Sequence, residues 1–149
     1  MNLLNFDVAN RAAFVKTLQT LVKEHQLKPD EIFMNVLEST EEPQMNYWMA
    51  RILIEEFGVD PQQTLAQDAA GEAVKPLQAA CLLQNIGVAA ALIELQAYKG
   101  SVVEREFQLA ARIASKHEDQ ALLGVMMKYA QERDELDWFM KALQGGALQ

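Results

Sequence analysis

Between Leu92 and Gln144 one apolar pattern is written twice, and this constrains the fold more than any other feature of the chain. Laying LIELQAYKGSVVEREFQLAARI (92–113) over LGVMMKYAQERDELDWFMKALQ (123–144), a shift of 31, pairs Leu92 with Leu123, Tyr98 with Tyr129, Glu104 with Glu135 and Ala111 with Ala142. Conservative pairs join them: Leu95 with Met126, Glu106 with Asp137, Phe107 with Trp138 and Leu109 with Met140. A period of this length is that of a helix-turn-helix unit, which buries its apolar side only by stacking on the next. Val and Ile fall at helical spacing, and no apolar/polar alternation lasts five residues, so no strand is expected. The expectation is an all-α fold of eight or nine short helices packed as antiparallel hairpins, either α-solenoid-like or a compact helical bundle.

The punctuation supports short helices. Asp7 can cap a first helix running to about His25, and Pro29, followed by Asp30 and Glu31, opens a second that runs through Glu38. Pro43 opens a third, which Gly58 closes. Asp60-Pro61-Gln62-Gln63 reads as a further capped start, predicting a weak helix to about Ala69 that Gly71 breaks. Pro76 lies in the first turn of a helix ending near Gln84. Asn85 to Gly87 is then a tight turn, because the shift of 31 maps it onto Lys116 to Glu118, where a helix should begin. Gly100 ends one helix, and Ser101 with Glu104 and Ser115 with Glu118 have capping-box spacing. Gln131 to Asp134, which holds no Gly or Pro, is either the matching turn of the second copy, as the repeat favours, or the middle of one continuous helix from His117 to Leu143.

LGVMMKYAQERDELDWFMKAL (123–143) resembles the tetratricopeptide family in its Leu-Gly, Tyr and closing Ala-Leu rhythm. It departs from that family in its period of 31 and not 34, in Glu135 where a small residue lets two helices touch, and in lacking a closing proline. The resemblance implies stacked helical hairpins and carries no functional residue with it.

A chain of 149 residues fits one domain, 1–149, with an acidic N-terminal half (1–71), an apolar hairpin half (72–144) and a short tail (145–149). The net charge of -8 is unevenly spread. Ten acidic residues between Asp30 and Glu72 face the single basic Arg51, which leaves -9 there and +1 elsewhere. That asymmetry disfavours direct binding to nucleic acid or anionic lipid and favours a protein partner with a basic surface. The longest uncharged run, Pro76 to Ile93, is interrupted by Gln78, Gln84, Asn85 and Gly87, so no membrane span is expected. With no signal-peptide pattern at the N-terminus and one cysteine, Cys81, the cytoplasm is the expected compartment.

Chemical motifs are scarce. A di-metal helical bundle needs Glu-x-x-His, yet Val22 and Ala114 stand three residues before His25 and His117. Cys81, His25 and His117 lie too far apart for a zinc-ligand spacing. Cys81 in AACLLQ reads as a small buried residue. Glu41-Glu42 and Glu55-Glu56 are adjacent, so their side chains diverge by about 100° on a helix, while Asp134 and Asp137 could face one another. No catalytic, cofactor-binding or metal-ligating residues are assigned, and no cofactor is expected.

What remains is surface. The helix from Pro43 carries Met45, Trp48, Met49 and Ile52 on one stripe and Tyr47, Ala50, Ile54 and Phe57 on a second, which is either buried under another helix or a partner groove. Candidate partner-binding residues are therefore Glu41, Glu42, Tyr47, Arg51, Ile54 and Glu55. The expected function is a non-enzymatic protein-protein interaction module (adaptor, client-specific chaperone, or inhibitor or immunity protein) using its acidic surface. Alternatives are a helical enzyme with dispersed carboxylates or an apolar-ligand site, and an acidic nucleic-acid mimic. Homo-oligomerisation stays open.

Overall fold

A computed structural model describes residues 11–96, 98 and 104–144. Eight helices account for nearly all of its regular structure: α1 (Arg11–Lys23), α2 (Pro29–Leu37), α3 (Pro43–Phe57), α4 (Pro76–Leu82), α5 (Ile86–Leu95), α6 (Glu104–Lys116), α7 (Gln120–Glu132) and α8 (Leu136–Gln144). The fold is all-α, as expected. α2 with α3, α4 with α5 and α6 with α7 form successive hairpins. First helices stack in the order α2, α4, α6, α8, and second helices in the order α1, α3, α5, α7, the closest stack being α3 on α5. This two-layer order is that of a solenoid, in which each hairpin touches chiefly its neighbours.

Local chemistry sets the helix ends. Pro29, Pro43 and Pro76 each occupy the first turn, where the missing N–H costs nothing and φ is already helical. Gly58 takes φ +74° after α3, and the Val59 N–H returns to the Leu53 carbonyl at 3.1 Å. α1 ends the same way without glycine, at Gln26 (φ 55°) with the Leu27 N–H returning to the Leu21 carbonyl at 3.2 Å, and three further helices also end on a left-handed residue that is not glycine. Gln84, Glu118 and Asp134 hold φ of 56°, 53° and 56°. In each case the next N–H reaches back five residues, Asn85 to Ala80 (2.8 Å), Asp119 to Ala114 (3.0 Å) and Glu135 to Ala130 (2.7 Å).

The first two of these turns correct the register of the repeat. Ala80 and Ala114, Gln84 and Glu118, and Asn85 and Asp119 are each 34 residues apart. Asn85 Oδ1 accepts the Val88 N–H and Asp119 Oδ1 the Leu122 N–H, both at 3.1 Å. Behind the caps Val88, Ala91 and Leu92 match Leu122, Val125 and Met126, all fully buried. At a shift of 31, in contrast, Tyr98 lies beyond the end of α5 whereas Tyr129 is within α7, and buried Phe107 is set against half-buried Trp138. Phe107 instead stacks on Trp138, with centroids 4.9 Å apart, while Phe139 takes the buried place on α8. The helices do break near both expected turns, but at Leu83 to Asn85 and at Arg133 to Glu135, so that Ile86 and Gly87 already belong to α5 and Gln131 and Glu132 still belong to α7. Ser115 and Glu118 do not form a capping box, because α6 runs to Lys116 and Asp119 is the cap, which also puts His117 at the end of a helix and not at its start. Asp7, Gly100 and Ser101 lie outside the described residues.

The helix expected over 60–69 is absent, and a hairpin of two short strands, β1 (Ala66–Gln67) and β2 (Ala73–Val74), stands there instead. Asp60 Oδ1 accepts the Gln62 N–H at 2.8 Å, which turns the chain before a helix can start. Asp68 Oδ1 accepts the N–H groups of Ala70 and Glu72, each at 2.9 Å, and Gly71 supplies φ +82°. The stretch has little apolar surface to bury, so side-chain turn chemistry decides it.

Candidate docking surface at the helix turns

Two buried asparagines build the floor of this surface. Asn85 caps α5 and donates from Nδ2 to the Val36 and Leu37 carbonyls of the last turn of α2 at 3.0 and 2.9 Å, the Val36 carbonyl also taking the Ser39 N–H at 3.1 Å. Asn46 Nδ2 lies 3.4 Å from Asn85 Oδ1 and from the Ser39 and Glu41 carbonyls. The α2–α3 turn is thus pinned to the α4–α5 turn. Between them opens a recess of about 310 Å³, walled by Ser39, Glu41, Pro43, Leu83 and Ile86. Leu83, 53% exposed, and Leu82, 48% exposed, are the most exposed large apolar side chains among the described residues. Glu41 lines the recess, Glu38 and Glu42 adjoin its lining residues in sequence, all three are exposed, and among the described residues none of them enters an ion pair.

The sequence candidates divide between two places. Glu41 and Glu42 belong to this turn. Tyr47, Arg51 and Glu55 lie instead on a seam across α1, α3, α5 and α7. Tyr47 is only 3% exposed, and Ile54 is partly buried against the core, so the second stripe of α3 is covered and offers no groove. Expectation and structure differ here because α1, α2 and α5 all pack on α3. Arg51 Nη1 donates to Tyr47 Oη at 2.6 Å and pairs with Glu94, whose Oε1 also accepts from Tyr47 Oη at 2.5 Å. Tyr129 Oη donates to Glu94 Oε2 at 2.6 Å. Arg51 further meets Glu55 at 3.1 Å, and Arg11 spans Glu55 and Glu56 at 2.9 and 2.8 Å.

The titrations reflect this mutual satisfaction. Burial raises Tyr47, against the opposing Arg51 guanidinium, and burial followed by Tyr47 and Glu132 pushes Tyr129 up to about 12. For Glu55, burial pushes upward, but hydrogen bonds from Arg51 and Arg11 outweigh it and leave the carboxyl below its usual value. Arg133 closes the seam by donating to the Ile93 and Gln96 carbonyls, at 2.5 and 2.9 Å, at the negative end of α5.

Residues with reactive chemistry are placed apart. His25 and His117 are exposed and Cys81 is buried, its thiol driven far up by burial and then by Asp119 and Glu106. Asp134 lies in a turn and Asp137 in the first turn of α8, both exposed. Among the described residues no three His, Cys, Asp or Glu side chains gather to hold a metal ion, and no helix is long and apolar enough to cross a membrane. The buried carboxyl is Glu106, 5% exposed, whose Oε1 accepts the Leu77 N–H in the first turn of α4 at 3.1 Å. Burial raises it, while that N–H, the Gln62 amide and Lys75 pull it down.

No family model, curated protein or solved structure matches this chain. Sequence reading missed Leu82 and Leu83. Their signal was the run Cys81-Leu82-Leu83-Gln84, in which a helix of seven residues has too few turns to bury every apolar position.

Proposed function

We propose that the chain is a protein-interaction module without chemistry of its own, and that a basic partner docks on the acidic turn between α2 and α3. Exposure of Leu83 at the wall of a rigidly bonded recess that Glu41 also lines, with the exposed carboxylates of Glu38 and Glu42 next to lining residues in sequence, carries this reading. An apolar side chain left in water beside a pre-organised recess lowers the ordering cost of binding, and carboxylates without an ion-pair partner among the described residues attract and orient a basic surface. Leu83 takes the role of apolar anchor that Tyr47 would have needed exposure to play, while Glu41 and Glu42 keep the role expected of them. The -8 net charge steers the same partner at long range. Selection from a displayed library of random 12-residue peptides tests the proposal. Recovered peptides should combine Lys or Arg with an apolar residue, lose binding to Leu83→Asp, and bind more weakly to the E38Q/E41Q/E42Q variant. Peptides that are neutral or acidic, or that ignore Leu83, contradict it.

A further inference from the structure

A second surface of opposite character lies on the layer of first helices. The β-hairpin, α4, α6 and α8 enclose a groove of about 590 Å³ whose apolar floor includes Leu82, Leu109, Ile113 and Leu143. Its two walls differ in charge and in how far that charge is already satisfied. On the hairpin wall, Asp68 Oδ1 is occupied by the Ala70 and Glu72 N–H groups, and Glu72 meets Arg105 at 3.5 Å. On the α6 wall stand Arg112 and Lys116, which among the described residues have neither a hydrogen bond nor an ion pair. The groove's carboxylates have partners and its cations do not.

Helix geometry lines these cations up. Arg105, Arg112 and Lys116 fall at i, i+7 and i+11 of α6, within about 20° of one line at 3.6 residues per turn. Arg105 leads into an adjoining cleft of about 320 Å³, which shares Glu72, Gln78 and Leu109 with the groove and adds Lys75. The rise from Arg112 to Lys116 is about 6 Å, close to the roughly 6.6 Å between alternate residues of an extended strand.

We propose that this groove binds an extended acidic and apolar segment of a protein partner, with carboxylates two residues apart on Arg112 and Lys116. An apolar side chain between or beside them packs on Leu109, Ile113 and Leu143. Arg112 receives the carboxylate in a planar, two-pronged pairing and Lys116 receives the other as a point charge. This site is separate from the acidic turn and takes ligands of the opposite charge.

The test uses the full chain carrying Leu83→Ser and Glu41→Gln, which silences the turn surface and leaves the groove. A displayed library of random 12-residue peptides is selected against it, and recovered peptides are measured by fluorescence anisotropy. Expected are peptides enriched in Asp or Glu at alternate positions with a neighbouring Leu, Ile or Phe, binding at least about tenfold more weakly to R112E/K116E. Lys116→Glu alone, at an exposed position that folding does not depend on, should weaken the same peptides several-fold. Recovery of basic or neutral peptides, recovery of none, or acidic peptides that bind K116E and R112E/K116E unchanged would overturn the proposal.

Discussion

α4–α5 and α6–α7 are the same structural unit enclosed to different degrees. Their caps, left-handed turn residues and inner faces coincide at 34 residues, yet Ile93 is 1% exposed where its counterpart Met127 is 38% exposed. Ala89 and Ala90 are sealed, whereas Leu123 is half-buried and Gly124 is open to solvent. α3 covers the outer side of α5, and among the described residues no helix does the same for α7. Cap chemistry alone therefore does not fix how firmly a unit is held. Neighbours do, as expected of a quasi-one-dimensional array.

Gly87 offers the largest way to break this comparison. A Cβ there would lie 2.2 Å from the Pro43 carbonyl oxygen and 2.9 Å from the Tyr47 nitrogen, both backbone atoms, whereas the matching position 34 residues on is an exposed alanine, Ala121. Gly87→Ala should cost about 3 kcal/mol, read from urea unfolding, because α3 must move away from α5. Near-neutral behaviour would show that α3 is not tightly seated.

The caps come next in size. Asp119→Ala should cost about 1 kcal/mol, the ordinary loss of one capping bond. Asn85→Ala should cost about 2 to 4 kcal/mol, because it also removes two buried hydrogen bonds to α2, one of them to the Leu37 carbonyl, whereas the Val36 carbonyl keeps the Ser39 N–H. Equal losses at the two positions would mean that the bonds from Asn85 to α2 contribute little.

Much of the fold was legible in the sequence because it rests on local rules. Pro29, Pro43, Pro76 and Gly58 marked helix ends correctly, and the turn expected at Asn85 to Gly87 exists two residues earlier, at Leu83 to Asn85. The repeat was visible but misregistered by three residues. Its matching positions exchange Val for Leu, Leu for Met and Asn for Asp, while chance identities such as Tyr98 with Tyr129 outweighed them. Gln84, Glu118 and Asp134 gave no glycine signal for their left-handed turns. The hairpin was read as a helix because Asp-Pro at residues 60–61 also suits a helix start. Of the candidate site, the acidic turn was legible, but the burial of Tyr47 was not, since it depends on which helix lies over α3.

Glu106 sharpens the comparison at the junction between the two units, where α6 supplies a carboxylate to the first turn of α4. Its folded pKa is raised, so the folded state holds the proton more tightly than the unfolded state. The stabilisation is complete below the unfolded value near 4.5 and is lost as pH rises through the folded value. Glu106→Gln should flatten the stability-pH profile above pH 4.5 while keeping an acceptor for the Leu77 N–H. A profile as steep as that of the parent would remove Glu106 from this role.

A small gain is expected at the open end. Gly124 sits within α7, and a Cβ added there would meet no atom within 4 Å. Gly124→Ala should therefore stabilise by about 0.5 to 1 kcal/mol through backbone entropy alone, read from the same urea unfolding.

Native-state hydrogen exchange tests the central claim most directly, because it reads the opening free energy of each helix separately. α5 amides, from Ala89 to Ile93, should exchange only with global unfolding, and those of α7 and α8 should exchange through cheaper openings that leave α3–α5 intact. Protection of α7 and α8 equal to or greater than that of α5 would contradict the account.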